Sequence, residues 1–87
     1  MFYKVILLPE VHNDIEEAYD YIFRQTFSKD ISKNTADKIY SQFLTLKSFP
    51  YIYPNSYKDY RVINMKSYRI FYRVFESNKE VIVYRVF

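Results

Sequence analysis

SYRIFYRVF, residues 67–75, alternates arginine with aromatic and β-branched side chains along one predicted strand. KDYRVI (58–63) and VIVYRVF (81–87) extend the pattern into two further strands that are predicted to pair with it. Successive side chains of a strand point to opposite faces, so one face carries Tyr68, Ile70, Tyr72 and Val74, and the other carries Arg69, Phe71, Arg73 and Phe75. The first set can close a core. The second presents guanidinium groups between aromatic rings, which suits phosphates and bases.

Composition excludes several classes of site. The 87 residues contain no glycine, which removes the Walker phosphate loop, the dinucleotide fingerprint and the glycine-flanked nucleophile elbow. Without cysteine there is neither a disulfide framework nor a thiolate zinc site, and a cytoplasmic protein fits. His12 is the single histidine, too few for a histidine metal centre. We therefore expect no cofactor, no metal and, without a run of about 18 apolar residues, no membrane span.

Positive charge is concentrated in the last third of the chain. Residues 1–56 hold six Lys/Arg and seven Asp/Glu, whereas residues 57–87 hold seven Lys/Arg and three Asp/Glu, which gives −1 and +4. A basic C-terminal sheet indicates an anionic partner, either nucleic acid or an acidic protein. The structural alternative is a solvated basic face.

The first half of the chain predicts one strand and two helices. Residues 2–8 are apolar enough for a buried strand that Pro9 ends. Asn13 is the expected N-cap of a helix over residues 14–26, with Glu16 completing a capping box. Asp30 or Ser32 is expected to cap a second helix, which Phe49-Pro50 ends. Helical spacing gives this second helix an inner face of Ala36, Ile39, Tyr40, Phe43 and Leu46.

The second half predicts an irregular aromatic stretch followed by three strands. Residues 49–57 are expected to pack as a lid over the helix ends. The strands cover residues 60–64, 68–75 and 80–87, with turns at 64–67 and 76–79. We therefore expect a single α+β domain over residues 1–87, of order β-α-α-β-β-β. Its sheet is mostly antiparallel, strand 1 lies parallel to one neighbour, a two-helix hairpin covers one face, and the other face stays open.

This order resembles the RelE/ParE superfamily of toxins from bacterial type II toxin–antitoxin systems. The matching pieces are Leu8-Pro9 with Asp14-Ile15, Ala36 to Leu46 with Phe49-Pro50, and Tyr60-Arg61-Val62, followed by residues 68–74 and 81–86. The resemblance implies a growth-inhibiting toxin that a cognate acidic antitoxin neutralises. It implies one of two activities, poisoning of DNA gyrase or cleavage of mRNA on the ribosome. A non-toxic module that only binds its antitoxin is a third hypothesis.

The resemblance also implies roles for individual residues. Arg69 falls on the strand arginine that binds the scissile phosphate in the ribonuclease branch, and Arg61 falls on a basic residue of the preceding strand. Lys66, Arg73 and Arg85 complete the predicted target-binding set. RNA cleavage needs a base and an acid besides charge stabilisation, and the arginines supply only charge. The ribonucleases place such groups after the last strand, and this sequence ends at Phe87, so we expect it to lack them.

Two other groups have competing interpretations. Asp14, Glu16, Glu17 and Asp20 could form a metal site, but electrostatics at a helix start explain them better. Tyr51, Tyr53 and Tyr57 could stack on bases, although packing under a proline-rich loop is the favoured interpretation. His12 is expected in the link between the first strand and the first helix.

Overall fold

The computed structural model of the chain describes residues 2–65 and 67–87 and has an α+β fold. The order is β1 (Lys4–Leu7), α1 (Pro9–Thr26), α2 (Lys29–Ser48), β2 (Asn55–Tyr57), β3 (Tyr60–Asn64), β4 (Arg69–Phe75) and β5 (Glu80–Val86). A short 3₁₀ turn, Glu76–Asn78, joins β4 to β5. The expected helical hairpin and the three C-terminal strands are confirmed. No helix of the described residues is long and apolar enough to cross a membrane.

The sheet is mixed, as the sequence predicts. Its strand order is β1-β5-β4-β3-β2. β1 lies parallel to β5, with Val5 opposite Val81, and the other neighbouring pairs are antiparallel. The helical hairpin carries the chain from β1 at one edge of the sheet to β2 at the other edge, and the antiparallel strands β2 to β5 then bring it back beside β1. The prediction that residues 49–57 are wholly irregular is wrong, because β2 pairs with β3 at one edge of the sheet.

Helix α1 begins five residues earlier than predicted. Pro9 occupies the first turn, and Leu8 is the extended N-cap residue. The ring of a proline fixes φ near its helical value. Proline has no backbone N–H, but in the first turn of a helix this group would have no partner within the helix. Asn13 is therefore not the N-cap, and His12 lies within the helix instead of in a link. The predicted end at Thr26 is confirmed, and Phe27 follows it in the left-handed conformation at φ 53°.

Helix α2 is capped by Ser28, so the prediction of Asp30 or Ser32 is wrong. The Ser28 hydroxyl accepts a hydrogen bond from the Ile31 backbone N–H at 3.2 Å. Ser32 lies one turn inside the helix, where its buried hydroxyl donates to the Ser28 carbonyl at 2.9 Å. The helix ends at Ser48, immediately before Phe49-Pro50, as expected.

The core lies between the helical hairpin and one face of the sheet. It consists of Val11, Ile15, Ala18, Ile39, Phe43, Leu46, Ile63, Ile70, Tyr72, Val81, Val83 and Val86. Tyr40, expected on the inner face of α2, is 41% exposed. Tyr72 is fully buried and donates its hydroxyl hydrogen to the Pro50 carbonyl at 2.8 Å. Pro50 and Tyr53 pack against this region, so part of the expected aromatic lid does cover the core.

Candidate binding site on the open sheet face

The face of the sheet opposite the helices carries both arginines and aromatic rings, as alternation along the strands predicts. Register and alternation place on it Tyr60 and Val62 of β3, Arg69, Phe71, Arg73 and Phe75 of β4, and Glu80 and Ile82 of β5. None of these side chains belongs to the buried core. We call this surface the open face. Tyr84 also lies on the open face, because its ring packs edge-on against Tyr60 at a centroid distance of 5.3 Å.

Arg69 is the exposed cation at one end of the open face. Its backbone pairs with that of Phe87, N–H to O at 2.8 Å and O to N–H at 2.9 Å. In residues 2–65 and 67–87, no carboxylate lies within 4 Å of its guanidinium group. Arg69 is therefore placed to receive an anionic group from outside the chain.

Arg73 lies further along the same face and already has a carboxylate partner. Its Nη2 is 3.3 Å from Oδ2 of Asp59. The guanidinium carbon lies 4.9 Å from the centre of the Phe75 ring and 5.5 Å from that of Tyr60. Its buried Nε donor has no hydrogen-bond partner among the described residues. Arg73 is thus half-buried and held in place by rings.

Arg85 is joined to helix α1 by a buried carboxylate. Its Nε and Nη2 donate to the two oxygens of Asp14 at 2.9 and 3.0 Å, and the Val86 N–H donates to the same carboxylate at 2.8 Å. Burial acts to raise the pKa of Asp14, but the hydrogen bonds from Arg85 and Val86 outweigh it and hold the pKa below its usual value. Asp14 thus fastens the end of β5 to α1, instead of serving helix-start electrostatics or a metal.

A bulge in β5 sets the direction of these last residues. Phe71 lies opposite Arg85 and Tyr72 opposite Val83, so Tyr84 is an extra residue in the ladder. The extra residue shifts the alternation, and Val86 therefore points into the core while Arg85 lies near the open face. The Arg85 guanidinium carbon lies 4.4 Å from the centre of the Phe87 ring.

The structure does not bring Arg61 together with Arg69. Arg61 lies opposite Tyr72, and therefore on the helix side of the sheet. Its Nη1 donates to the Tyr53 carbonyl at 2.5 Å, and its guanidinium carbon lies 4.9 Å from the Tyr51 ring centre. Arg61 therefore holds the segment between α2 and β2. Lys66, the remaining predicted residue, lies outside the described residues.

Aromatic rings enclose a concavity on the open face that sequence reasoning missed. Its volume is about 270 Å³, and it is lined by Ser56, Tyr57, Tyr60, Val62, Phe71, Tyr84, Arg85 and Phe87. We call it the aromatic pocket. The Phe71 and Phe87 rings meet edge-on at 5.6 Å along one side. Alternation indicated that some of these rings share a face, but the bulge and β2 bring the remaining walls together.

A larger depression, which we call the α1 groove, lies beside helix α1 near the end of β5. Its volume is about 750 Å³. It is lined by Asp14, Glu17, Ala18, Tyr21, Ile22, Arg24, Ser67, Tyr68, Arg85, Val86 and Phe87. The groove and the aromatic pocket share Arg85 and Phe87, so the end of β5 separates the two concavities.

The model of the ParE toxin of type II toxin–antitoxin systems, parDE, matches residues 5–87 of the chain. The chain belongs to this ParE toxin family. A search of curated proteins gave no significant match.

Three solved structures have the same fold as this ParE-family chain. The chromosomal ParDE system from P. aeruginosa aligns with a TM-score of 0.79 at 15% identity, over 97% of this chain and 92% of that chain. The RelBE2 toxin–antitoxin complex from Mycobacterium tuberculosis gives 0.70 at 17%, over 99% and 96%. The RelBE complex of E. coli gives 0.52 at 14%, over 97% and 93%. The family match over residues 5–87, together with this shared fold, confirms the resemblance to the RelE/ParE superfamily.

Among the described residues, the open face of this ParE-family chain offers mainly arginine charge and apolar surface. Arginine stays protonated in proteins, Asp59 is paired with Arg73, and Glu80 lies opposite Phe75, at the other end of the face from Arg69. His12 lies on α1, the helical side of the sheet. In the described part of the chain, therefore, the open face is equipped to bind an anionic or apolar partner.

Proposed function

We propose that this ParE-family chain is a growth-inhibiting toxin that acts in the cytoplasm by binding an essential protein, DNA gyrase. The observation that carries the proposal is Arg69, an exposed cation with no carboxylate of the described residues within 4 Å of its guanidinium group, next to Phe87 at the end of an uncovered face. Cleavage of RNA would need an acid and a base beside this cation. The groups around Arg69 favour binding. In this proposal residues 1–87 belong to a single toxin domain.

Inducible expression in a bacterial host tests this function directly. We expect growth arrest with induction of the DNA-damage response, inhibition of purified gyrase, and intact mRNA in a translation extract. Arg69→Ala should weaken both effects, whereas Arg24→Ala, an exposed arginine of α1, should leave them unchanged. Ribosome-dependent cuts that Arg69→Ala abolishes would identify the ribonuclease alternative. Harmless expression of folded protein would identify a module that only binds an antitoxin.

The proposal includes an acidic antitoxin as the neutralising partner. Residues 57–87 carry a net charge of +4, and complementary charge steers association and selects partners. Two of the solved neighbours are complexes of a toxin with its antitoxin. Co-expression with a short acidic reading frame adjacent to the gene should restore growth and yield a co-purifying complex. Failure of every neighbouring frame to do so would contradict this part of the proposal.

A further inference from the structure

The structure assigns a recognition element to the open face: we infer that the aromatic pocket receives one large apolar side chain of the target protein, while a carboxylate of the same segment contacts Arg69. The inference rests on the proposed function. The pocket volume of about 270 Å³ lies below the roughly 300–1,000 Å³ usual for small-molecule sites. A pocket of this size suits a single inserted side chain.

The chemistry of the pocket favours an apolar side chain over a phosphate. Val62 and Phe71 lie side by side on adjacent strands, in register with each other, and neither offers a hydrogen-bond donor from its side chain. Edge-on contacts between Tyr60 and Tyr84 and between Phe71 and Phe87 hold the walls in place. A preformed pocket lined by packed rings is the usual receptor for the anchor residue of a protein interface, because little ordering is required on binding.

The charged groups near the pocket indicate which group of the partner should lie beside the inserted apolar side chain. Arg85 lines the pocket, but its charge is already compensated by Asp14. Arg69 does not line the pocket, but two backbone hydrogen bonds join it to Phe87, which does. Within residues 2–65 and 67–87, no carboxylate lies within 4 Å of its guanidinium group. A partner carboxylate beside the anchor side chain would satisfy Arg69 without breaking an existing pair. The expected target segment is therefore both apolar and acidic.

The two concavities differ in the kind of partner that each can hold. A neutralising antitoxin must bind firmly, and stable interfaces bury about 1,200–2,000 Å² in total. The α1 groove, at about 750 Å³, offers room for a longer segment. The aromatic pocket offers one anchoring position, which suits docking onto a much larger protein. We therefore assign the pocket to the target and not to the antitoxin.

Filling the pocket is the decisive experiment. Val62 lies on the open face, away from the core, so the tryptophan side chain of Val62→Trp should fill the pocket. Tryptophan is favoured in strands, so β3 should still form. We expect the concentration of toxin needed for half-maximal inhibition of purified gyrase to rise about 30-fold, the effect of losing a strong anchor contact. Ser56→Trp, at the exposed rim of the pocket, should also weaken inhibition, and it provides an independent test if the first variant does not fold.

Ile6→Trp is the matched control, because Ile6 lies on the same face of the edge strand β1 but outside the pocket. It should inhibit gyrase like the wild type, and all three variants should still co-purify with the antitoxin. Arg69→Gln should weaken inhibition and reduce its dependence on salt concentration.

Two outcomes would overturn the assignment while the proposed function stands. The first is gyrase inhibition unchanged by both Val62→Trp and Ser56→Trp. The second is loss of antitoxin binding in these variants with gyrase inhibition retained, which would give the pocket to the antitoxin. A wild-type protein without effect on gyrase would instead overturn the proposed function, and the role of the pocket in target binding with it.

Discussion

At the scale of single residues, the Asp14 carboxylate has a role that its position in the sequence does not reveal. It is 8% exposed and accepts three hydrogen bonds, two from Arg85 and one from the Val86 N–H. Buried carboxylates are tolerated when their oxygens are paired in this way. The bonds hold the end of β5 where it contributes to both concavities.

Asp14→Asn tests this role. The amide cannot accept the same three hydrogen bonds, and the buried Val86 N–H risks losing its partner, so we expect the free energy of unfolding to fall by about 2 kcal/mol. Urea denaturation monitored by circular dichroism measures the change. Asp20→Asn, an exposed carboxylate on the same helix, should change stability by less than about 0.5 kcal/mol. Equal effects of the two substitutions would contradict the role assigned to Asp14.

At the scale of elements, one turn connects three parts of the chain. Glu76, between β4 and β5, accepts hydrogen bonds from Tyr3 at 2.7 Å and from Tyr51 at 2.5 Å, and it pairs with Lys79. These contacts tie together the residue preceding β1, the segment after α2, and the β4–β5 turn. The bonds from Lys79, Tyr51 and Tyr3 lower the pKa of Glu76 to about 2. The hydrogen bond to Glu76 is also the main reason that the pKa of Tyr51 rises to about 12.

Acid should therefore weaken the fold through Glu76. Its folded-state pKa lies below the ordinary value of 4.5, so its stabilising contribution is present above that pH and is lost as the pH falls toward 2. We expect Glu76→Gln to flatten the pH dependence of the urea midpoint in this window. Because the cluster is exposed, added salt should reduce the difference. Glu16→Gln, at an exposed position of α1, should leave the slope unchanged; a matching loss of slope in both variants would refute the cluster as its cause.

At the scale of the whole molecule, a considerable apolar surface stays in contact with solvent. Besides the open face, Phe2, Phe49 and Ile52 are each at least 60% exposed. Ile52 donates a backbone hydrogen bond to the Phe49 carbonyl. The N–H of Tyr3, the residue after Phe2, donates to the Lys47 carbonyl. These contacts bring the start of the chain to the end of α2. Exposed apolar residues gathered in this way are typical of interaction surfaces.

The free chain should consequently self-associate more readily than its antitoxin complex. Size-exclusion chromatography with light scattering at increasing concentration measures this, and we expect a rising average mass for the free chain. Phe49→Ser combined with Ile52→Ser should shift the onset of association to higher concentration, since both side chains are exposed and their loss leaves the core intact. A clean monomer at high concentration would contradict the expectation.

The predictions from the sequence are accurate where the pattern that carries them is local along the chain. The strand at residues 60–64 and the end of α1 at Thr26 are confirmed, because alternation and helical spacing are local patterns. The start of α1 was missed because Pro9 was interpreted only as the end of a strand, although proline is equally suited to a first helical turn. β2 was missed because three residues are too few to show a period of two.

The sequence by itself determined the order of the main elements, the mixed sheet and the face on which Arg69, Phe71, Arg73 and Phe75 lie, because these follow from hydrophobic period and chain connectivity. Only the tertiary structure decided which arginines are available. Arg61 lies on the helix side, Arg73 pairs with Asp59, and Arg85 pairs with Asp14, whereas Arg69 has no carboxylate partner in the described residues. Asp14 and Arg85 are 71 residues apart, and contacts over such separations depend on packing and on a single bulge, neither of which leaves a periodic trace in the sequence.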